Sequence, residues 1–380
     1  MGNDLCSRAN KKKERSMNIS KTIDTGRTGL RPSAASIEQA GSDDSRENVK
    51  GLAVLLSLFC LFLLLLWICR YPSTPISPPD SSTQSVFSEL ADQTGNPARI
   101  TIFRAESADE LVAELKKNRL WEIKAGSSIT PLLLTTYPSD LETLSVREKK
   151  KAFLHSLLPA ALMANAEISK ERETLLAILD KIPLPVSAIT FTARQKNWQQ
   201  YVDQDEIVFL KGLAKKYRTK RAERLLRRVN IIPASLILAQ GALESSWGTS
   251  RFTREGNSLF GLWTWRGNGI VPLNRDEGKM HKIEAYDSIL ASLRKYALTL
   301  NRLEAYSAFR TIRTRSFDPY ELVDGLELYS ERGIGYINDI KRVISSNRLT
   351  DFDEVQFPDI LVTMLPPASS QFPADRFAQL

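Results

Sequence analysis

The chain has 380 residues, of which 42% are hydrophobic and 25% are charged, and its formal net charge is +8. These are globular values, so they exclude a wholly disordered or collagen-like chain. Three cysteines, the last of them Cys69, cannot build a disulfide scaffold, and His155 and His281 alone cannot make a histidine-rich metal centre. We therefore expect two or three structural units without a metal or cofactor.

Residues 51–69 form an apolar run without a charged side chain. As a helix this run would span about 28 Å, close to the hydrocarbon thickness of a bilayer. A cleaved signal peptide would have a short charged region and small residues at its cleavage site, whereas here fifty residues precede the run and Trp67-Ile68-Cys69-Arg70 ends it. We predict a retained transmembrane helix over 50–70, after a disordered tail over 1–49.

Basic residues are distributed unevenly around this predicted helix. The preceding flank contains Lys11, Lys12, Lys13, Arg15, Arg46 and Lys50, whereas residues 71–98 contain no Lys or Arg. This asymmetry predicts a cytoplasmic N-terminus and an external domain. Residues 71–98 contain five prolines among serines and threonines, which is typical of a semi-extended tether.

Residues 99–198 are predicted to be an N-terminal helical region with one short strand. Residues 100–104, ITIFR, predict the strand, and the spacing of Leu111 and Leu115 predicts an amphipathic helix after it. Helical periodicity continues over 130–183, where Pro159 is expected to kink or break the helix.

Residues 199–350 are predicted to form a second helical domain, and 351–380 a C-terminal extension. One helix is expected over 204–228, with nine Lys/Arg between 211 and 228. The basic run suits either an anionic polymer or a solvated helix face. Because an external domain meets no genomic DNA, a nucleic-acid partner is not expected.

A helix is predicted over 233–247, with Leu236, Ala239 and Leu243 on its apolar stripe. Glu244 falls at the border of that stripe, where apolar neighbours would raise the pKa of its carboxyl. A general acid that works near neutral pH needs such a pKa. The alternative is an ordinary Glu at a helix end, exposed to water.

Aromatic residues are unusually dense after this helix. Residues 247–265 contain three tryptophans and two phenylalanines, together with Asn257. Aromatic faces stack on sugar rings and amides bind their polar groups, although the same residues could simply fill a core.

The stretch from Ala239 to Ser250, AQGALESSWGTS, resembles the A-Q-x-x-L-E-S-x-W-G-x-S motif of glycoside hydrolase family 73. Asn257 to Gly261, NSLFG, resembles the N-x-L-F-G motif of that family. The flanking segments, including 153–172 and 329–333, are similar to the membrane-anchored, Bax-type branch of the family. The resemblance covers roughly 130–350. It implies a mainly α (α+β), lysozyme-like fold, with a small irregular or β lobe near 262–283.

The resemblance also implies roles for individual residues. Glu244 takes the position of the general acid, and Glu277 is the first choice for a second carboxylate, with Asp276 and Glu284 as rivals. Tyr329 matches the tyrosine of the family, with Tyr336 as the alternate. The substrate-binding candidates are Gln240, Asn257, Phe260, Trp263, Trp265 and Tyr336. Ser288 or Asp287 is expected to cap a helix over 288–302.

The implied activity is cleavage of the N-acetylglucosaminyl β-1,4 bond of peptidoglycan by a single-pass protein of the inner membrane, with a periplasmic catalytic domain. Retaining, inverting and substrate-assisted mechanisms stay open. Two other functions are weighed. A lytic transglycosylase also uses one Glu in an E-S motif, and a non-catalytic wall-binding module would also use the aromatics, the basic run and the tether.

Overall fold

The computed structural model of the protein describes residues 100–265, 267–273, 275 and 278–357. The predicted tail, transmembrane helix and tether lie outside these residues, as do Asp276, Glu277 and most of the predicted C-terminal extension. Within the described part of the chain, no helix combines the length and apolar character that crossing a bilayer requires.

The described residues are mainly helical and include two small sheets, which confirms the predicted fold class at this level. The α-helices are α1 Ala108–Lys117, α2 Val146–Asp180, α3 Gln204–Lys216, α4 Ala222–Arg228, α5 Ala234–Glu244, α6 Arg251–Gly256, α7 Ile289–Arg302, α8 Ser307–Ile312, α9 Pro319–Leu322 and α10 Ile334–Ser346. The strands are β1 Thr101–Phe103, β2 Leu132–Leu134, β3 Trp263–Thr264, β4 Gly269–Ile270 and β5 Lys282–Glu284. Short 3-10 helices lie at Leu141–Thr143, Val186–Ala188, Gln199–Tyr201, Glu304–Tyr306, Val323–Tyr329 and Leu349–Glu354.

The first sheet pairs β1 with β2 in parallel, with Thr101 opposite Leu132. The predicted strand over 100–104 and the amphipathic helix after it are confirmed, and Leu111 and Leu115 are fully buried. Ser107 caps α1 by accepting a hydrogen bond from the Glu110 amide. The helix expected from residue 130 was wrong at its start, because Leu132–Leu134 forms the fully buried second strand.

Helix α2 is 35 residues long and continues through Pro159, so of the predicted kink or break the break does not occur. A proline inside a helix removes one hydrogen bond and costs about 3 kcal/mol. Around it, Leu157, Leu158 and Ala161 are fully buried, and α2 packs against α5, α7 and β2. Burial of this apolar surface by three elements therefore outweighs the local cost of the proline.

The single helix predicted over 204–228 is wrong, because the structure has two helices, α3 and α4. Between them Arg218 adopts a left-handed φ of 50°, and Arg221 forms a β-bridge with Thr190. The buried guanidinium of Arg228 donates to the Tyr217 and Arg218 carbonyls at 2.7 and 2.9 Å. The basic run is therefore partly structural, since one of its cations donates hydrogen bonds to the carbonyl groups at the end of α3.

Helix α5 lies at the centre of the hydrophobic core, which includes residues of both predicted regions, 99–198 and 199–350. Its residues Leu236 to Ala239 are at most 1% exposed, so the helix is buried on every side rather than along one stripe. Gly241 permits this close packing, since a Cβ there would lie 2.9 Å from Leu157 Cδ2. The central position fixes the end of α5 rigidly.

The second sheet lies in residues 262–284, which we call the lobe. Its strands have the antiparallel order β3-β5-β4, with Trp263 opposite Ile283 and Gly269 opposite Glu284. We call the other described residues the helical body. After the lobe, the Ser288 hydroxyl accepts a hydrogen bond from the Ala291 amide and caps α7, as predicted.

Candidate active site

Glu244 is the last residue of α5, and the chain leaves it through a left-handed turn. Ser246, Trp247 and Gly248 have φ values of 52°, 61° and 85°. Each non-glycine residue in this conformation costs about 1–2 kcal/mol. The Ser245 hydroxyl stabilises the turn by donating to the Gly241 carbonyl at 2.5 Å and accepting from the Gly248 amide at 2.9 Å. The helix thus ends three residues before the predicted Trp247.

The surroundings of the Glu244 carboxyl favour its protonated form. Burial raises the pKa of Glu244, while a hydrogen bond from the Tyr336 hydroxyl and the positive charge of Arg332 act in the opposite direction. The side chain is half-buried, so it still reaches solvent. A carboxyl that holds its proton and remains accessible can act as a general acid.

The motif Asn257 to Gly261 brings backbone next to this carboxyl. Asn257 ends α6 in a left-handed conformation, and its side-chain amide donates to the Tyr286 carbonyl at 3.1 Å. Phe260 stacks on Tyr296 with 4.0 Å between ring centroids. Gly261 has a φ of +60°, and a Cβ there would lie 3.6 Å from Glu244 Oε2. The glycine therefore leaves this side of the carboxyl open.

Tyr329 and Tyr336 lie side by side next to Glu244. Their rings stack with centroids 5.6 Å apart, and the Tyr329 hydroxyl donates to the Phe260 carbonyl at 3.0 Å. Burial, then the charge of the other tyrosine and of Glu244, raises the pKa of Tyr329 well above its usual range. Both tyrosines are therefore hydroxyl donors at neutral pH rather than anions.

Gln240 lies one turn before Glu244 and is fully buried. Its amide nitrogen donates to the Tyr336 hydroxyl at 2.8 Å, and its amide oxygen accepts from the Tyr296 hydroxyl at 2.5 Å. Sequence reasoning missed Tyr296. Nothing in the sequence indicated where its hydroxyl points.

The six substrate-binding candidates divide into two groups. Trp263 and Trp265 are 54% and 66% exposed in the lobe, and Trp263 stacks on His281 with centroids 4.3 Å apart. The other four side chains are at most 8% exposed and contact protein: Gln240, Asn257, Phe260 and Tyr336. Direct contact with substrate stays a prediction for all six, and only the tryptophans present aromatic faces at the surface.

Among the described residues, those that shift the pKa of Glu244 are Tyr336 and Arg332, and neither is a carboxylate. Glu284 forms an ion pair with Lys295 at 2.7 Å, and its backbone amide donates to the Leu262 carbonyl. Glu277 and Asp276 lie outside the described residues. Within the described ranges, no cluster of three or more His, Cys, Asp or Glu side chains could hold a metal ion.

A half-buried carboxyl with a raised pKa, as at Glu244, is the kind of group that glycosidases use as their general acid. Comparison with known proteins agrees. Residues 219–349 match the family model of mannosyl-glycoprotein endo-β-N-acetylglucosaminidase, the Glucosaminidase domain. Residues 219–349 are thus similar to glycoside hydrolases of the endo-β-N-acetylglucosaminidase type, which confirms the resemblance found in the sequence for this part of the chain.

Two curated relatives extend this finding. The chain is 29% identical over 214 residues to Protein bax of Escherichia coli, a match that covers 53% of this chain and 70% of the relative. It is 34% identical over 104 residues to the peptidoglycan hydrolase FlgJ of Salmonella typhimurium, covering 24% of this chain and 33% of that protein. The catalytic domain of the Listeria monocytogenes autolysin Auto is 20% identical, with a TM-score of 0.28 over 40% of this chain and 89% of that one.

Proposed function

We propose that this protein hydrolyses the N-acetylglucosaminyl β-1,4 bonds of peptidoglycan with Glu244 as the general acid. The observation that carries the proposal is the Glu244 carboxyl. It lies at the end of the buried helix α5, burial raises its pKa, and Gly261 leaves one side of it open. The naming of the relative FlgJ as a peptidoglycan hydrolase supports the choice of polymer.

In the proposed reaction, Glu244 gives its proton to the glycosidic oxygen as the bond from that oxygen to the anomeric carbon breaks. The resulting carboxylate would be stabilised by the Tyr336 hydroxyl and by the charge of Arg332, which both lower the pKa of Glu244. The two effects thus serve successive stages, because burial favours the acid and the donors favour its conjugate base.

The anomeric carbon then needs a second partner. Water activated by a carboxylate, a carboxylate nucleophile or the 2-acetamido group of the substrate could serve, and the distance between the carboxyls distinguishes the first two. Glu277 remains the proposed second carboxylate. Glu284 is the weaker rival, because Lys295 already neutralises it. Tyr329 is proposed to stabilise charge near the anomeric centre.

The lobe is proposed to bind the glycan strand through Trp263 and Trp265. Their exposed rings offer the flat apolar surface on which sugar rings stack. Residues 51–69 are proposed to anchor the protein in the inner membrane with the catalytic domain in the periplasm. The tether over 71–98 would then limit the enzyme to wall close to the membrane.

Digestion of purified peptidoglycan by the full-length chain in detergent tests the proposal, with wild type beside Glu244→Gln. We expect wild type to release soluble fragments with reducing N-acetylglucosamine ends, and the variant to release none. Anhydro-muramyl ends would instead identify a lytic transglycosylase. Equal sedimentation of both proteins with the wall, without release by either, would indicate a binding module.

A further inference from the structure

Four side chains form a series of hydrogen bonds that ends on Glu244, and we call this series the relay. Its members are Tyr296, Gln240, Tyr336 and Glu244. The Tyr296 hydroxyl donates to Gln240 Oε1 at 2.5 Å, and Gln240 Nε2 donates to the Tyr336 hydroxyl at 2.8 Å. Glu244 lies one helical turn after Gln240 on the same face of α5, and a hydrogen bond from the Tyr336 hydroxyl lowers the pKa of its carboxyl. Three residues of this chain are nearly or fully inaccessible to water, with Gln240 and Tyr296 at 0% and Tyr336 at 2% exposure.

The number of protons on each group gives the chain a direction. A tyrosine hydroxyl has one proton to donate, and a glutamine amide has a donor end and an acceptor end. Since Tyr296 gives its proton to the amide oxygen, the amide nitrogen must face Tyr336. Because Tyr336 already accepts from that nitrogen, its own proton is directed to Glu244.

We propose that Tyr296 and Gln240 are positioning residues, which act through Tyr336 to fix how the Glu244 carboxyl presents its proton. The proposal rests on the proposed function of Glu244 as the acid. A protonated carboxyl accepts best on its carbonyl oxygen, so a donor on one oxygen places the acidic proton on the other. The relay thus orients the acid as well as holding it.

The relay is well insulated from competing groups. The titratable groups of the described residues that act on Glu244, or on which it acts, are Arg332, Tyr296, Tyr306, Tyr329 and Tyr336. The four tyrosines are neutral at working pH because burial raises the pKa of each hydroxyl. Arg332 is exposed and forms an ion pair with Asp339. A change in the relay should therefore reach Glu244 chiefly through the Tyr336 hydroxyl.

The test is the pH profile of glycan cleavage by the full-length chain, for Tyr336→Phe, Tyr296→Phe and the double variant. Losing the donor to the carboxylate favours the protonated form of Glu244. The alkaline limb of kcat/KM should therefore move up by about one pH unit in Tyr336→Phe, the size of one hydrogen bond to a charged acceptor. Tyr296→Phe should move it in the same direction, with kcat lowered about tenfold. The double variant should match Tyr336→Phe, since both changes remove the same bond.

Two further variants keep the test decisive. Gln240→Glu retains side-chain volume but accepts from both tyrosines, so it should also move the limb upward. Tyr137→Phe is the matched control, because this buried hydroxyl bonds to the Phe153 carbonyl at 3.3 Å and not to the relay. Its limb should stay at the wild-type position.

The outcomes separate the relay from the proposed function. An inactive Glu244→Gln, together with wild-type limbs in Tyr296→Phe and Gln240→Glu, would overturn the relay and leave Glu244 as the acid. A lower melting temperature with an unmoved limb would overturn it as well, since that is a purely structural effect. Full activity of Glu244→Gln would overturn both.

Discussion

The described tryptophans of the helical body are less exposed than those of the lobe. In the body, Trp198 is fully buried, and its ring nitrogen donates to the Thr190 carbonyl at 2.9 Å. In the lobe, Trp263 and Trp265 are more than half exposed and contact each other and His281. The body thus buries Trp198 in its core, whereas the lobe leaves its two tryptophans at the surface.

This contrast predicts opposite effects for the same substitution. Trp198→Ala should lower the free energy of unfolding by about 3–5 kcal/mol, as expected for a buried tryptophan. Trp263→Ala should change stability by less than about 0.5 kcal/mol but raise KM for glycan about tenfold. Chemical denaturation and initial-rate kinetics on both variants measure these effects. A stable Trp198→Ala, or an unchanged KM in Trp263→Ala, would remove the contrast.

The free energy of unfolding should also depend on pH, through His155 in the helical body. This residue is buried, and its ring bonds to the Leu120 carbonyl at 2.6 Å. Burial lowers the pKa of His155 to about 4 from an unfolded value near 6.5. The unfolded chain therefore binds this proton first. The histidine contributes stability above pH 6.5 that is lost as the pH falls through 4, by about 3 kcal/mol.

Urea denaturation at pH 7 and pH 4.5, comparing wild type with His155→Gln, measures this term. The free energy of unfolding of wild type minus that of the variant should be smaller at pH 4.5 than at pH 7. An equal difference at both pH values would mean that His155 is not held neutral by the fold.

Activity should be sensitive to substitution of Gly261, which directly precedes the lobe. Gly261→Ala would add a Cβ 3.6 Å from Glu244 Oε2 at a φ of +60°. We expect kcat to fall about tenfold, because the new methyl group would occupy the side of the carboxyl that Gly261 leaves open to substrate. Gly267→Ala is the control, since its φ of +88° imposes similar strain with nothing within 4 Å of the new Cβ. Equal losses in the two variants would assign the effect to backbone strain alone.

The smallest effect is expected at Glu284, which links β5 of the lobe to α7 through Lys295. Glu284→Gln should reduce activity less than threefold, since the ion pair is partly exposed and contributes about 1 kcal/mol or less. Initial rates at saturating substrate test this. A loss of a hundredfold or more would make Glu284 the second carboxylate and displace Glu277 from the proposal.

The sequence predicted the elements whose signals are local. The Ser288 cap, the amphipathic helix with Leu111 and Leu115, and the position of Glu244 at a helix end all depend on residues within a few positions of each other. At Pro159 the helix continues without a break, which was one of the two expected outcomes, and the single helix predicted over 204–228 was wrong, for a shared reason. In both places distant contacts, around α2 and at Arg228, decide what the local pattern cannot.

The same limit applies to the site. A motif can indicate Glu244, but the Gln240 amide bonds to a hydroxyl 56 residues away in sequence. Gln240 and Phe260 were predicted to contact substrate, which stays a prediction, and the structure shows that both are buried against Tyr296. Single-sequence reasoning identifies which residues matter in such a motif more easily than what each of them touches.

The most direct test of the account is to separate binding from cleavage at Glu244. Wild type and Glu244→Gln, both full length, would be incubated with insoluble peptidoglycan, measuring sedimented protein and released fragments together. We predict equal binding, because the lobe is intact, and a release rate lower by about 10³-fold in the variant. Equal release from the two proteins would contradict the assignment of Glu244 as the acid.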